Sequence, residues 1–246
     1  KKSEFMEFYR FSANVLANDV AIYLVTNTDI TIIGRVLGDV LLGVYNYALY
    51  LVKLPVTRIS GIVTKVVFPA FSLLQHDKKQ FKRGFLKSIT YVSLVTFPLL
   101  VGLAVFSREF ILVILGEKWI DARWPMVILT PMAMLKSVGT LKGSVLMAVG
   151  KPEIELRWNF IYLLPLAGVV YLGTQFGLVG VAVAFSTFYI LTFPIIQHIT
   201  NKQIDVRMGE FWAALSKSSA ATAAMLAAAL GWRCLLFNFF VGFICL

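Results

Sequence analysis

The chain is poor in the residues from which catalytic and metal sites are built. It holds 2 histidines, 2 cysteines and 13 acidic residues in 246. His76 and His198 lie far apart, near loop ends, and suggest no shared role. Cys234 and Cys245 fall in an apolar C-terminal run. Two cysteines make neither a disulfide framework nor a metal set, and buried free thiols are the simpler reading. There is no GxxxxGK[ST] loop, which excludes an ATP engine of that kind from the chain. HExxH, CxxC and GxSxG are also missing. No cofactor, no metal and no catalytic residue is therefore expected, and the chain reads as a non-enzyme. No secretory signal opens it: KKSEFMEFYR is too charged, and no cleavage site follows. The first residue is Lys, not Met, and the last apolar run is short. On this reading the chain is a fragment.

Charge as a whole is scarce. Asp, Glu, Lys and Arg make up 15% of the residues, against about 25% in soluble domains. Apolar residues make up 59%, and the mean hydropathy is +0.79. A membrane span needs roughly 20 such residues, so the length allows about eight. The net charge is +10. In a soluble protein that excess would point to nucleic acid. Here the bases gather between apolar runs, as they do in cytoplasmic loops of membrane proteins. The expected partner is the membrane, with no nucleic acid.

The spacing predicts eight apolar segments, near 11–33, 39–70, 87–106, 124–149, 156–174, 178–199, 209–230 and 234–246. Gly34 and Gly38 separate the first two. The loop HDKKQFKRGFLK, 76–87, has five bases against one acid. Segment 107–123 is too short to span. It reads as a helix at the interface, with Trp119 and Trp124 at headgroup level. Gly150-Lys151-Pro152 is a stop. The seventh segment carries Ser216, Ala220, Ala224 and Ala228 at four-residue steps, and such residues let membrane helices approach closely. Alternating the segments across a bilayer puts thirteen bases on the N-terminal side and five on the other. That bias places the N-terminus and the 76–87 loop in the cytoplasm. The domain reading is a cytoplasmic lead-in at 1–10, six membrane helices over 11–201 and trailing helices over 202–246, the last incomplete.

The stretch 27–75 is unusual. It is apolar enough for lipid yet carries Lys53, Arg58 and Lys65. A cation at bilayer depth costs a few kcal/mol or more and normally faces a bundle interior or a water-filled cavity. At about 100° per residue, Tyr50, Lys53, Thr57, Ser60 and Thr64 fall within about 40° of Asn46. Arg58 and Lys65 lie on a neighbouring line, and Val44, Ala48, Val52, Ile59, Val63 and Val66 occupy the far side. For Lys65 snorkelling to the headgroups is an equal alternative. Lys136 lies beside Thr130, Ser137, Thr140 and Ser144 in the fourth segment, whereas Lys142 is placed to snorkel. A cavity bearing Arg58, Lys53 and Lys136 would attract a phosphate or diphosphate, which Arg grips with a planar fork and Lys as a point charge. Tyr45, Tyr47, Tyr50, Trp158 and Tyr162 offer faces for sugars, or simply pack. Asp19 and Asp29 could bind a coupling cation or pair with a base, and both readings stay open. Glu153 and Glu155, beside the Gly-Lys-Pro turn, are expected to be solvated.

Asn27-Thr28-Asp29, Ile33-Gly34-Arg35-Val36-Leu37-Gly38 and Leu42-Gly43-Val44-Tyr45 resemble a stretch of Wzx-type flippases. Pro69-Ala70-Phe71-Ser72, Gly116-Glu117-Lys118-Trp119 and Gly150-Lys151-Pro152 follow in that family's order. The resemblance covers about residues 10–205. It implies an all-α, multipass transmembrane helical bundle, one six-helix lobe of a MATE/Wzx-like transporter plus one or two trailing helices. It also implies a lipid-linked anionic oligosaccharide as substrate, undecaprenyl-diphosphate-linked, moved across the bacterial inner membrane for surface polysaccharide. The N-terminal lobe of such a transporter has no counterpart here and would be a partner. The substrate-binding candidates remain Arg58, Lys53, Lys136 and Lys65, with Asp19 and Asp29 as ion-coupling candidates, because no ligand motif transfers from the family. A MATE-like drug exporter would need acids where this chain has cations. A membrane glycosyltransferase or polymerase would need a larger loop than 107–123. A purely structural subunit would leave the central cations unexplained.

Overall fold

Long apolar runs punctuated by glycine and proline make helices and little else. A computed structural model describes residues 2–74 and 77–244, as helices joined by short turns. The expectations on His76, Cys234 and Cys245 rest on side chains outside the described ones. The long helices are α1 (Lys2–Val36), α2 (Asp39–Leu74) and α3 (Lys78–Val105). A short α4 (Ser107–Ile114) and a 3-10 turn (Glu117–Ala122) lead into α5 (Arg123–Gly139) and α6 (Leu141–Ala148). Then come α7 (Pro152–Thr174), α8 (Gly177–Gln203) and α9 (Met208–Ile244). Among the described residues α3, α7 and α8 are long and apolar enough to cross a membrane by length and composition. The architecture is an all-α membrane bundle.

The stop at 150–152 shows how the sequence ends and restarts helices. Gly150 has φ 71, a conformation with no penalty only for glycine. The Lys151 N–H reaches back to the Leu146 carbonyl at 2.8 Å, closing α6. Pro152, with no N–H to leave unpaired, then opens α7. At the α7–α8 hairpin the limit is space. A Cβ on Gly180 would stand 2.5 Å from the Gly173 carbonyl oxygen, so the two backbones touch there. Pro55, Pro69 and Pro98 lie inside continuous helices.

Two differences from the sequence expectation concern the C-terminal region. The seventh and eighth segments form one helix, α9, because nothing between 230 and 234 breaks it. The small-residue line of Ser216, Ala220, Ala224 and Ala228 faces outward. The face of α9 that packs along α3 is instead Phe211, Leu215, Ser218 and Thr222. Ser93 Oγ donates to Ser218 Oγ at 2.8 Å across that contact. In lipid the hydrophobic drive between helices is lost, so close packing and such hydrogen bonds hold them together.

The interior has two apolar clusters. One gathers Ile33, Tyr45, Leu49, Met126, Leu129 and Leu166 from α1, α2, α5 and α7. The other gathers Phe71, Phe81, Phe85, Leu141, Phe193 and Phe211 at the opposite end of the bundle. Phe71 and Phe81 stack at 4.6 Å, tying α2 to α3 across their connecting turn. Between the clusters α2, α3 and α5 meet at a polar junction. Ser60 Oγ donates to the Ser137 carbonyl at 3.0 Å, and Thr96 Oγ1 and Ser137 Oγ share a hydrogen bond at 2.9 Å. These hydroxyls bridge helices and satisfy one another, which is what buried polar groups require.

Candidate functional site

Asp29 is a buried charge of the bundle, 1% exposed in α1. Tyr45 Oη, from the first turns of α2, donates to its Oδ2 at 3.0 Å. Its other oxygen, Oδ1, has no hydrogen-bond partner. An isolated buried carboxylate is costly, so it needs opposite charge. Lys53, two turns further along α2, supplies the largest such interaction, and Lys136 of α5 adds a smaller one. Both lysines are half-buried. The two also act on each other as like charges, with Asp29 between their influences. One acid thus stands in the field of two bases.

Beside this group lies a cavity of about 240 Å³ between α1, α5, α6, α7 and α8. Lys136 enters it, with Thr140, Asn159, Trp158, Tyr162 and Thr192 among the residues around it. The break between α5 and α6 at Gly139-Thr140 forms part of its wall. A Cβ on Gly139 would stand 3.0 Å from the Phe193 ring, so glycine is what lets α8 close against the break. Asn159 Nδ2 donates to Asn18 Oδ1 at 3.0 Å, joining α7 to α1 nearby.

Lys142 and Glu155 also border the cavity, and here the sequence expectation is corrected. Lys142 Nζ lies 3.2 Å from Glu155 Oε1, with side chains 18% and 11% exposed. Lys142 does not snorkel and Glu155 is not solvated, because α6 and α7 pack face to face beyond the Gly150 turn. Gly143 makes the room: a Cβ there would stand 3.2 Å from Glu155 Oε2.

The substrate-binding candidates divide into two sets. Lys53 and Lys136 lie in the electrostatic field of Asp29. Arg58 and Lys65 lie on an exposed line of α2, and of the four candidates Lys136 borders the 240 Å³ cavity while Lys53, Arg58 and Lys65 do not. Seven residues on from Lys53 is Ser60, buried against α5, so Lys53 points inward while Arg58 points about 150° away from that line. Tyr50 and Thr57 are exposed beside Arg58. Of the acids, Asp29 is enclosed and Asp19 is exposed. Among the aromatic candidates, Trp158 and Tyr162 reach the cavity, Tyr50 is 58% exposed, and Tyr47 packs against Trp119 at 4.2 Å. Tyr45 is fully buried and held by Asp29, so no ligand can stack on it. The Lys142–Glu155 pair escaped sequence reading because its partners sit on two helices joined by a turn. Each looked like an ordinary loop-end charge.

A family model described as polysaccharide biosynthesis protein matches residues 1–123. The teichuronic acid biosynthesis protein TuaB of Bacillus subtilis (strain 168) is 37% identical over 141 residues, 57% of this chain and 29% of that protein. The lipopolysaccharide biosynthesis protein WzxC of Escherichia coli (strain K12) is 36% identical over 138 residues, 56% of this chain and 28% of its own length. The succinoglycan biosynthesis transport protein ExoT of Rhizobium meliloti (strain 1021) is 28% identical over 149 residues, 56% of this chain and 30% of its length. The chain therefore spans less than a third of these relatives in alignment. No solved structure matches. With a helical membrane bundle and half its residues under one family model, the chain belongs to the polysaccharide biosynthesis protein family.

Proposed function

We propose that this chain forms one lobe of a flippase that moves a lipid-diphosphate-linked oligosaccharide across the bacterial inner membrane for surface polysaccharide synthesis. The observation that carries the reading is the exposed cationic line of α2. Arg58 and Lys65, with Tyr50 and Thr57, stand open on a helix whose other side is core. A guanidinium cannot rest against acyl chains without a cost of a few kcal/mol or more. The line therefore needs a wet cavity, which a second lobe would enclose. The relatives' unmatched length leaves ample chain for such a lobe.

In this reading Arg58 and Lys65 draw the diphosphate to the cavity wall. Lys53 and Lys136 hold a positive field behind them, moderated by Asp29. Asp29 also serves as the ion-coupling candidate, since it is enclosed and has an oxygen without a hydrogen-bond partner. Transport is a rocking of two lobes about this surface, and no bond is made or broken. The N-terminal end of α1 and the start of α3, at 78–87, lie in the cytoplasm, by the distribution of bases.

The test is Arg58→Ala in the native gene, with surface polysaccharide and membrane protein level both measured. Polysaccharide should be lost while the protein level holds. Unchanged polysaccharide removes Arg58 from the path. A parallel Lys53→Gln/Lys136→Gln variant separates the inner pair from the outer line.

A further inference from the structure

The first turns of α3 carry a second cationic feature that the transport reading does not use. Five bases fall between 78 and 87, and the fold sorts them into two groups. Lys78 Nζ reaches Asp205 Oδ2 at 2.8 Å. Lys82 Nζ reaches Glu210 Oε2 at 2.6 Å and the Asp205 carbonyl at 3.2 Å. These two bases are spent on the turn between α8 and α9. Lys79, Arg83 and Lys87 are not in that clasp. They follow one another at four-residue steps on the outer side of α3, and all are exposed. The acid acting on Lys79 is Asp77, whose carboxylate caps α3 by accepting from the Gln80 N–H at 3.0 Å. The three bases against this one acid leave the outer line positive.

The same line continues as Tyr91, 63% exposed, and Val95, 48% exposed. The opposite side of α3, with Phe81, Phe85, Ile89 and Val92, is core. So one helix side passes from bases through a tyrosine to apolar residues, in a helix long and apolar enough to cross a membrane. A surface hollow of about 450 Å³ opens beside Lys79, Arg83, Lys87 and Tyr91, with the clasped Lys82 also on its wall. We infer that this line is a binding site for an anionic phospholipid. The phosphodiester headgroup sits among Lys79, Arg83 and Lys87, and an acyl chain runs along Tyr91 and Val95. The order of the groups matches a lipid lying along its own axis, and bases at such a boundary attract anionic headgroups. A soluble phosphate would use the bases but gain nothing from the apolar continuation.

The inference is independent of what the protein transports. The full chain, purified in mild detergent, is titrated with phosphatidylglycerol and with phosphatidylcholine of the same chain length, and bound lipid is read by native mass spectrometry. Phosphatidylglycerol should be retained about tenfold more, since each base adds its own attraction. The Lys79→Gln/Arg83→Gln/Lys87→Gln variant should lose that preference, while Lys78→Gln, at a base outside the hollow, keeps it. Thermal unfolding in detergent identifies any variant that fails to fold. For a variant that does fail, Arg83→Lys replaces it, and a partial loss of preference is expected. Equal retention of the two lipids, or a preference that survives the triple substitution, overturns the inference. Displacement of bound lipid by millimolar inorganic phosphate also overturns it, because the site would then belong to a free anion.

Discussion

Tyr45 Oη and Asp29 Oδ2, 3.0 Å apart, join α2 to α1 across the turn at Gly38. The bond spans sixteen residues of sequence and holds a buried carboxylate in one orientation. Asp29 is thereby kept in the field of Lys53 and Lys136. Removing the hydroxyl would leave a carboxylate oxygen unmatched where exposure is 1%. Tyr45→Phe is expected to cost about 1–3 kcal/mol, the penalty for a buried polar group that loses its partner. Thermal unfolding in detergent measures it. A wild-type melting curve would mean that water replaces the phenol, and that Asp29 is less enclosed than its exposure indicates.

Gly143 and Glu155 give a second test, because the space above Gly143 is what Glu155 occupies. Gly143→Ala should push the carboxylate away from Lys142. Breaking a fully buried ion pair costs about 3–5 kcal/mol. This pair retains some solvent exposure, so a loss of roughly 1–3 kcal/mol is expected. Glu155→Gln should cost a similar amount. The double variant should cost little more than either single one, since both act on one interaction. Full additivity in the melting temperatures would refute the link.

Two glycines of the α7–α8 hairpin should respond oppositely to the same substitution. Gly180→Ala places a methyl 2.5 Å from a backbone oxygen and must separate the helices. Overpacking of this kind costs about 1–3 kcal/mol or more. At Gly168, in α7, a methyl would meet nothing within 4 Å. There alanine should stabilise by about 0.4–1 kcal/mol, through a less free unfolded chain. Paired unfolding curves decide, and equal effects would show that the hairpin contact is looser than its geometry.

The clasp between α3 and the α8–α9 turn should weaken in acid. The hydrogen bond from Lys78 and its charge hold the Asp205 carboxyl below its ordinary value. Lys82 Nζ pairs with Glu210 at the start of α9 on the same side of the turn. A folded pKa below the unfolded one means that the stabilisation is complete above the ordinary carboxylate range. It is lost as pH falls through that range to the depressed folded value. Protection of the amides at 204–211, taken against the intrinsic exchange rate at each pH from 6 downward, should hold until about pH 4 and then fall. Lys78→Gln/Lys82→Gln should remove that pH step. A step retained in this variant would assign it to other carboxylates.

Composition and periodicity were enough for the class of fold. Apolar runs of span length, few charges and Gly-Lys-Pro-type stops leave a helical membrane bundle as the outcome, because lipid offers no other partner for backbone N–H and C=O groups. The same regularity misled at α9. Ser216, Ala220, Ala224 and Ala228 share one helix face, but sharing a face does not say whether a neighbour lies against it. The break expected near 230 was also absent, since a charged residue next to Trp232 does not by itself end a helix.

For the site, the sequence alone determined which charges stand in apolar runs: Asp29, Lys53, Arg58, Lys65 and Lys136. Hydropathy and one-helix phase need no second helix to be read. Only the tertiary structure decided that Lys53 and Lys136 stand in the field of Asp29 while Arg58 and Lys65 turn outward, and that Lys142 is matched to Glu155. Those pairings depend on which faces α2, α5, α6 and α7 press together. Packing of helices is set by side-chain fit between elements far apart in the chain, which no local pattern contains.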